Sequence, residues 1–188
     1  MRGRNGKALV IIGLLAVGLL VLGCDLFAIA DPGDGDDGED LQWQEPSTPK
    51  IVLEDLEWSY DNAEYYDKYE NLIHDDFIFY FDPQDVDQGL PASWGKQDEL
   101  EATKNLFENV GAANIELGLT LSDYQPPEDT DTEHIYNNVP YNLRVTMPDE
   151  DLIYVAQGHG NYTTKIDGTL DNGLDRWWLV TWYDINTN

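Results

Sequence analysis

The apolar positions of this chain change their spacing several times. Ala8 to Leu22 is an unbroken run of apolar residues and glycines, and Asp31 to Asp40 (DPGDGDDGED) offers no side chain that could join a core. Beyond Lys50 the spacing becomes helical, with Val52, Leu53, Leu56 and Tyr60 on one face. Ser47-Thr48-Pro49 suits the start of that helix, because a hydroxyl caps free amides and proline has none to lose. Asp61-Asn62 interrupts, and Ala63 to about Ile73 predicts a second short helix through Tyr65, Tyr66, Tyr69, Leu72 and Ile73. Phe77 to Phe81 (FIFYF) reads as a strand, and Asp82 to Trp94 as a loop rich in Asp, Gly and Pro. Lys96 to Asn109 is helical again through Leu100, Thr103, Lys104 and Phe107, with Gly111 as its stop signal.

The period then falls to two. Ile115, Leu117, Leu119 and Leu121 alternate, as do Tyr141, Leu143, Val145 and Met147 after a loop containing Pro126-Pro127. Pro148-Asp149 makes a turn. Leu152 to Ile166 is a long strand in which Gly158 and Gly160 suggest a bend or bulge. Asp167-Gly168 and Asn172-Gly173 mark a turn region, and Arg176 to Ile185 closes the chain with Trp178, Val180 and Trp182 on one face. This order predicts an α+β domain over residues 50–188, with helices laid on one face of a curved antiparallel sheet.

Charge and composition separate the amino-terminal part. Three of the ten basic residues (Arg2, Arg4, Lys7) and none of the 37 acidic ones precede Cys24, so a net charge of −27 would become −30 without residues 1–23. Such a field repels phosphate backbones and excludes nucleic acid as a partner class. It also disfavours docking on anionic head groups, so membrane contact calls for a covalent anchor. The apolar run of about 15 residues has the length of a signal-peptide core and is short for a membrane span. Val21-Leu22-Gly23-Cys24 ends it, with the only cysteine of the chain.

Those four residues resemble the lipobox of bacterial lipoproteins. The resemblance implies a diacylglycerol on the Cys24 thiol, cleavage before Cys24, and a bilayer as partner through the acylated residue. Two or three acyl chains hold firmly where a single one anchors only marginally. The implied location is the bacterial cell envelope, facing away from the cytoplasm. Asp25 resembles the inner-membrane retention signal of enterobacterial lipoproteins, which favours inner over outer membrane. Residues 24–49 then read as the lipidated terminus and an acidic disordered tether. The EF-hand calcium spacing fails there, because the fifth position counted from Asp34 is Gly38.

LEDLEWSYDNAEYYDKYENLIHDDFIFYF, WGKQDELEATKNLF and the terminal WWLVTWYDI, with Trp177, Trp182 and Asp184 in a Trp-x-x-x-x-Trp-x-Asp pattern, resemble the nuclear transport factor 2-like superfamily and its SnoaL-like domains. The resemblance covers nearly all of residues 50–188. It implies a cone-shaped fold with a pocket between the concave sheet and the helices, and frequent homodimers. It implies no single chemistry, since the superfamily contains isomerases, cyclases, dehydratases, hydrolases and members without known activity.

The residues therefore have to argue the chemistry. Asp76, in His74-Asp75-Asp76-Phe77, is a candidate acid–base catalyst at a pocket mouth, with His74 assisting. The alternative is that Asp75 and Asp76 satisfy backbone donors where helix gives way to strand. His159 is the second catalytic candidate. By strand parity it shares a face with Ile153, Val155 and Gln157, and if that face is concave, Gln157 and His159 orient a ligand. Tyr60, Tyr80 and Trp182 are further pocket-lining candidates, with plain core as the alternative for large aromatics. The three histidines are widely spaced, so neither a metal nor any other cofactor is expected. The expectation is a membrane-anchored domain that binds a small apolar ligand or a partner, leaning away from catalysis. The alternatives are an isomerase or dehydratase using Asp76 or His159, and a homodimeric assembly module.

Overall fold

Thr48 stops an extended segment and starts helix α1 (Pro49–Asp61). Its hydroxyl oxygen accepts the Ile51 amide proton at 3.2 Å, with Pro49 in the first turn. In this computed structural model residues 42–121, 131–147 and 152–185 are described. The apolar run, Cys24, the acidic stretch to Asp40, the Pro126-Pro127 loop and the Pro148-Asp149 turn lie outside them. Packing already begins before Lys50. The Gln44 amide donates to Asp55 Oδ1 at 3.0 Å, and the Pro46 carbonyl accepts from the Trp177 amide at 2.8 Å. Trp43 lies edge-on to Trp58, with Lys68 over its ring. This short strap ties residues assigned to the tether onto the domain.

Helix α1 buries Val52, Leu53, Leu56 and Tyr60, the face that its spacing predicts. Each such side chain contributes about 1.5–3 kcal/mol on burial. A 3₁₀ turn (Ala63–Tyr65) and helix α2 (Tyr66–Glu70) follow, shorter than the expected helix, and strand β1 (Ile73–Tyr80) starts four residues early. The expected Asp82–Trp94 loop holds helix α3 (Pro83–Asp87), capped by Asp82, and strand β2 (Ser93–Gly95). Helix α4 (Lys96–Val110), a second 3₁₀ turn (Ala112–Asn114) and strands β3 (Ile115–Leu119), β4 (Glu133–Met147), β5 (Leu152–Thr169) and β6 (Asp175–Ile185) complete the order.

The strands form one sheet in the order β2-β1-β6-β5-β4-β3. It is mixed rather than wholly antiparallel, because β1 runs parallel to β6. The chain leaves β1, passes through α3, β2 and α4, and begins β3 at the far edge. β1 and the last strand are therefore joined only through a long crossover, which is what a parallel pair needs. β3 is the other edge, and α1 protects it: Asp61 Oδ1 and Glu57 Oε2 accept the Leu117 and Leu119 amide protons at 3.0 and 3.3 Å.

Two bulges explain where simple alternation misplaced side chains. In β4 the register slips between Tyr136 and Val139, with Asn138 at φ 57°, so both residues point inward although three positions apart. That break hides the first half of β4, which begins at Glu133 rather than Tyr141. In β6 Thr163 pairs with Thr181 but Thr164 pairs with Leu179, leaving Val180 out of register. The buried set is therefore Trp177, Leu179 and Trp182, not Trp178, Val180 and Trp182. Conversely, β5 runs from Gly158 to Gly160 in continuous register with β4, and from His159 with β6, with no register shift between the two glycines.

Candidate functional site

Two polar groups are built into the interior between helices and sheet, and they differ in how their hydrogen bonds are met. The first centres on Glu99, in the first turn of α4 and 2 % exposed. Its Oε1 accepts from the Tyr69 hydroxyl and, at 3.1 Å, from the Thr103 hydroxyl; its Oε2 accepts from Trp94 Nε1 at 2.8 Å. Burial raises the Glu99 carboxyl above its usual range against these three donors, and burial together with the Glu99 charge raises Tyr69. Tyr60 lies edge-on to Tyr69 at 5.8 Å and to Phe107 at 5.3 Å. With both carboxyl oxygens partnered, this network is complete and serves to hold α2, β2 and α4 together.

The second group is not complete. It sits where β1 and β6 end and α3 begins. Asp184, half-buried on β6, accepts from the Tyr141 hydroxyl at 2.7 Å. Asp85 on α3 is 4 % exposed, and its Oδ2 has no partner. The same holds for the Tyr162 hydroxyl and for Trp182 Nε1, both on buried residues. A buried polar atom left unpaired costs about 1–3 kcal/mol. Desolvation and the nearby charges of Asp184 and Asp82 push the Asp85 carboxyl up to about 6. Asp184 is raised chiefly by burial, against the lowering effect of the Tyr141 hydrogen bond. Tyr141 and Tyr162 are raised by burial and by the Asp184 charge. Aromatic rings wall this end: Trp182 lies 5.2 Å from Tyr162 and 5.4 Å from Phe79, and Trp94 lies 4.7 Å from Phe81.

The glycines of β5 make the arrangement possible. Tyr141 pairs with Gly158, and Asp184 pairs with Gly160. With no side chain at 158, the Tyr141 ring crosses β5 and reaches Asp184 on the strand beyond. A Cβ at 158 would meet the Tyr141 hydroxyl at 2.9 Å, and one at 160 would meet the Tyr162 ring at 2.6 Å. Both hydroxyls thus lie over one strand, at positions two residues apart.

Of the residues singled out from sequence, Tyr60 and Trp182 lie inside, and Trp182 borders the second group. The others lie elsewhere. The Asp76 side chain is 82 % exposed, and its amide donates to His74 Nδ1 at 3.0 Å. His74 is buried at the start of β1, its Nε2 lies 3.1 Å from Asp167 Oδ2, and its ring is edge-on to Trp178. It ties β1 to the end of β5. The buried face of β5 carries Gly158, Gly160, Tyr162 and Thr164, so Gln157 and His159 belong to the opposite, outer face. Gln157 is exposed and reaches Asn142 at 3.4 Å. Tyr80 is on the outer face too, stacked on Tyr183 at 4.0 Å. Asp85, Tyr141 and Tyr162 escaped the sequence reading. A usable signal was present: Gly158 and Gly160 share parity with Tyr162, so a strand face without side chains invites large neighbours to cross it. Among the described residues no cluster of His, Cys, Asp and Glu could hold a metal ion.

No protein-family model matches the sequence, and no curated protein matches it. Solved structures do resemble the fold. A conserved protein from Planctomyces limnophilus matches with a TM-score of 0.54 at 16 % identity, over 71 % of this chain and 89 % of that one. An NTF2-like protein of unknown function in nutrient uptake from Rhodospirillum rubrum matches with a TM-score of 0.50 at 16 % identity, over 74 % and 98 %. A ketosteroid isomerase-like protein from Erwinia carotovora atroseptica has a TM-score of 0.48 at 14 % identity, over 77 % and 98 %. At such identities the likeness is one of fold.

Proposed function

Taking the nuclear transport factor 2-like fold as the premise, we propose that this domain binds a small organic ligand at the end of its interior lined by Asp85, Asp184, Tyr141, Tyr162 and Trp182. The observation that carries this reading is the gathering of three buried polar atoms without partners, Asp85 Oδ2, Tyr162 hydroxyl and Trp182 Nε1, beside the Tyr141–Asp184 pair. Unpaired buried atoms also occur elsewhere, as at Asp55 Oδ2; it is their gathering beside the Tyr141–Asp184 pair, against the fully partnered Glu99 carboxyl, that supports a ligand role. A fragment screen by ligand-observed NMR on the full chain tests it. Hits are expected to lose binding in Tyr162→Phe or Asp85→Asn, and a screen without hits would remove the reading.

The same proposal places the domain on a membrane through an acylated Cys24, supported by the basic start, the apolar run, Gly23 and Cys24 in sequence. Palmitate labelling should disappear in Cys24→Ser, and unchanged labelling would sink this part. A second reading, acid–base catalysis, is supported by the Tyr141–Asp184 hydrogen bond, which joins two groups raised by burial. Turnover of a bound fragment that stops in Tyr141→Phe would decide for it over plain binding.

A further inference from the structure

The geometry points to a positively charged ligand, a protonated organic amine, as the occupant of the end lined by Asp85 and Asp184. This inference rests on the binding reading above and adds the ligand's charge. Neither carboxylate has a basic partner among the described residues, and Asp85 lies close enough to feel the charge of Asp184. The Lys and Arg side chains after Gly23 are placed elsewhere. Lys50 pairs with Glu54, Lys96 with Asp75, Lys104 with Glu108 and Arg144 with Glu116. Lys68 and Arg176 lie over the rings of Trp43 and Trp178, and Lys165 sits opposite Glu133 in the β4–β5 ladder. Among the described residues none supplies a countercharge to this end of the fold.

The walls match that charge. Tyr141 bonds Asp184, and its ring continues through Trp182 and Phe79 to Phe81 and Trp94; aromatic faces attract cations through their quadrupoles. Asp85 Oδ2 is an acceptor without a donor, which an ammonium N–H supplies. An anionic ligand would meet Asp82, Asp85 and Asp184 together, and a neutral one would leave their mutual repulsion in place. Trp182 Nε1 can only donate, so the occupant also carries an acceptor oxygen, as an ether, hydroxyl or carbonyl. Phe79, Trp94, Tyr141 and Asp184 are half-buried, so the rim of this end meets solvent. The raised Asp85 carboxyl fits the same picture, since a bound cation would reverse what its acidic neighbours do to it.

The test uses three probes of one shape, 2-phenoxyethylamine, 2-phenoxyethanol and phenoxyacetate, titrated by calorimetry into the full chain in nonionic detergent at pH 7.5. The amine should bind at least roughly tenfold more tightly than the alcohol, and the acid should not bind. In Asp85→Asn and Asp184→Asn, checked for an unchanged near-ultraviolet dichroism spectrum, the amine should lose its advantage over the alcohol, its affinity falling by the larger factor. Alcohol binding equal to or tighter than amine binding would overturn the charge inference and leave the binding reading standing. Failure of the amine to bind at all would also overturn it, and the fragment screen would then judge the binding reading separately.

Discussion

Asp55 is fully buried on α1, with the Gln44 amide on Oδ1 and nothing on Oδ2. Desolvation is the main reason its carboxyl is pushed from 3.8 up to about 7, with Glu54 and Glu45 adding to the rise. The sign follows from linkage. Between about pH 4 and 7 the folded state holds a proton that the unfolded state has released, so stability falls as pH rises through this window. A shift of this size corresponds to about 4 kcal/mol of destabilisation above pH 7, as an upper bound. Asp55→Asn stays neutral at every pH and keeps an acceptor for the Gln44 amide. It should match the parent within about 1 kcal/mol at pH 4 and exceed its stability by about 2–4 kcal/mol at pH 8. Urea denaturation of both full-length proteins, followed by tryptophan fluorescence from pH 4 to 8, measures this. Glu57 and Asp85 titrate in the same range in both proteins, so the difference between the two curves isolates position 55. A difference that does not change with pH, or an Asn variant weaker than the parent at pH 8, would refute the reasoning.

Gly160→Ala should cost about 1–3 kcal/mol, because the new Cβ falls 2.6 Å from the Tyr162 ring; the same urea titration reads it, together with a changed near-ultraviolet dichroism spectrum. Thr48→Ala removes the cap of α1 and should cost about 1 kcal/mol in chemical denaturation, with Thr48→Ser close to the parent. Glu99→Leu leaves Tyr69, Thr103 and Trp94 without their shared acceptor and should destabilise by about 2–4 kcal/mol, seen as a lower urea midpoint.

The helical part of the fold was readable because one continuous apolar face on α1 and a strong cap agree with each other. The sheet was readable only between its irregularities. The Asn138 bulge moves Tyr136 and Val139 to one face, and the Val180 bulge puts Leu179 and Trp182 together, so period-two counting fails across both. The α+β class survives such slips, but single side-chain directions do not. His159 shows the cost: its parity group with Ile153, Val155 and Gln157 was identified, yet sequence could not say which face was concave. Asp85 escaped for a different reason. It lies in a five-residue helix within a stretch whose composition reads as loop, and its burial depends on contacts with residues a hundred positions away. Tyr141 counted as one more apolar position, since nothing in its own strand reveals that it spans a neighbour to reach Asp184.

The strap at Gln44 and Pro46 fixes an orientation as well as a boundary. Pro46 binds Trp177 at the start of β6, whereas Asp184 stands near the other end of that strand. Eight residues of strand put roughly 20–25 Å between the two. The polypeptide therefore joins the domain at one pole and presents its acidic, aromatic end at the other. A load applied through the strap enters the fold at the Trp177 pole, and the acidic, aromatic pole stands at the far end of β6 from it.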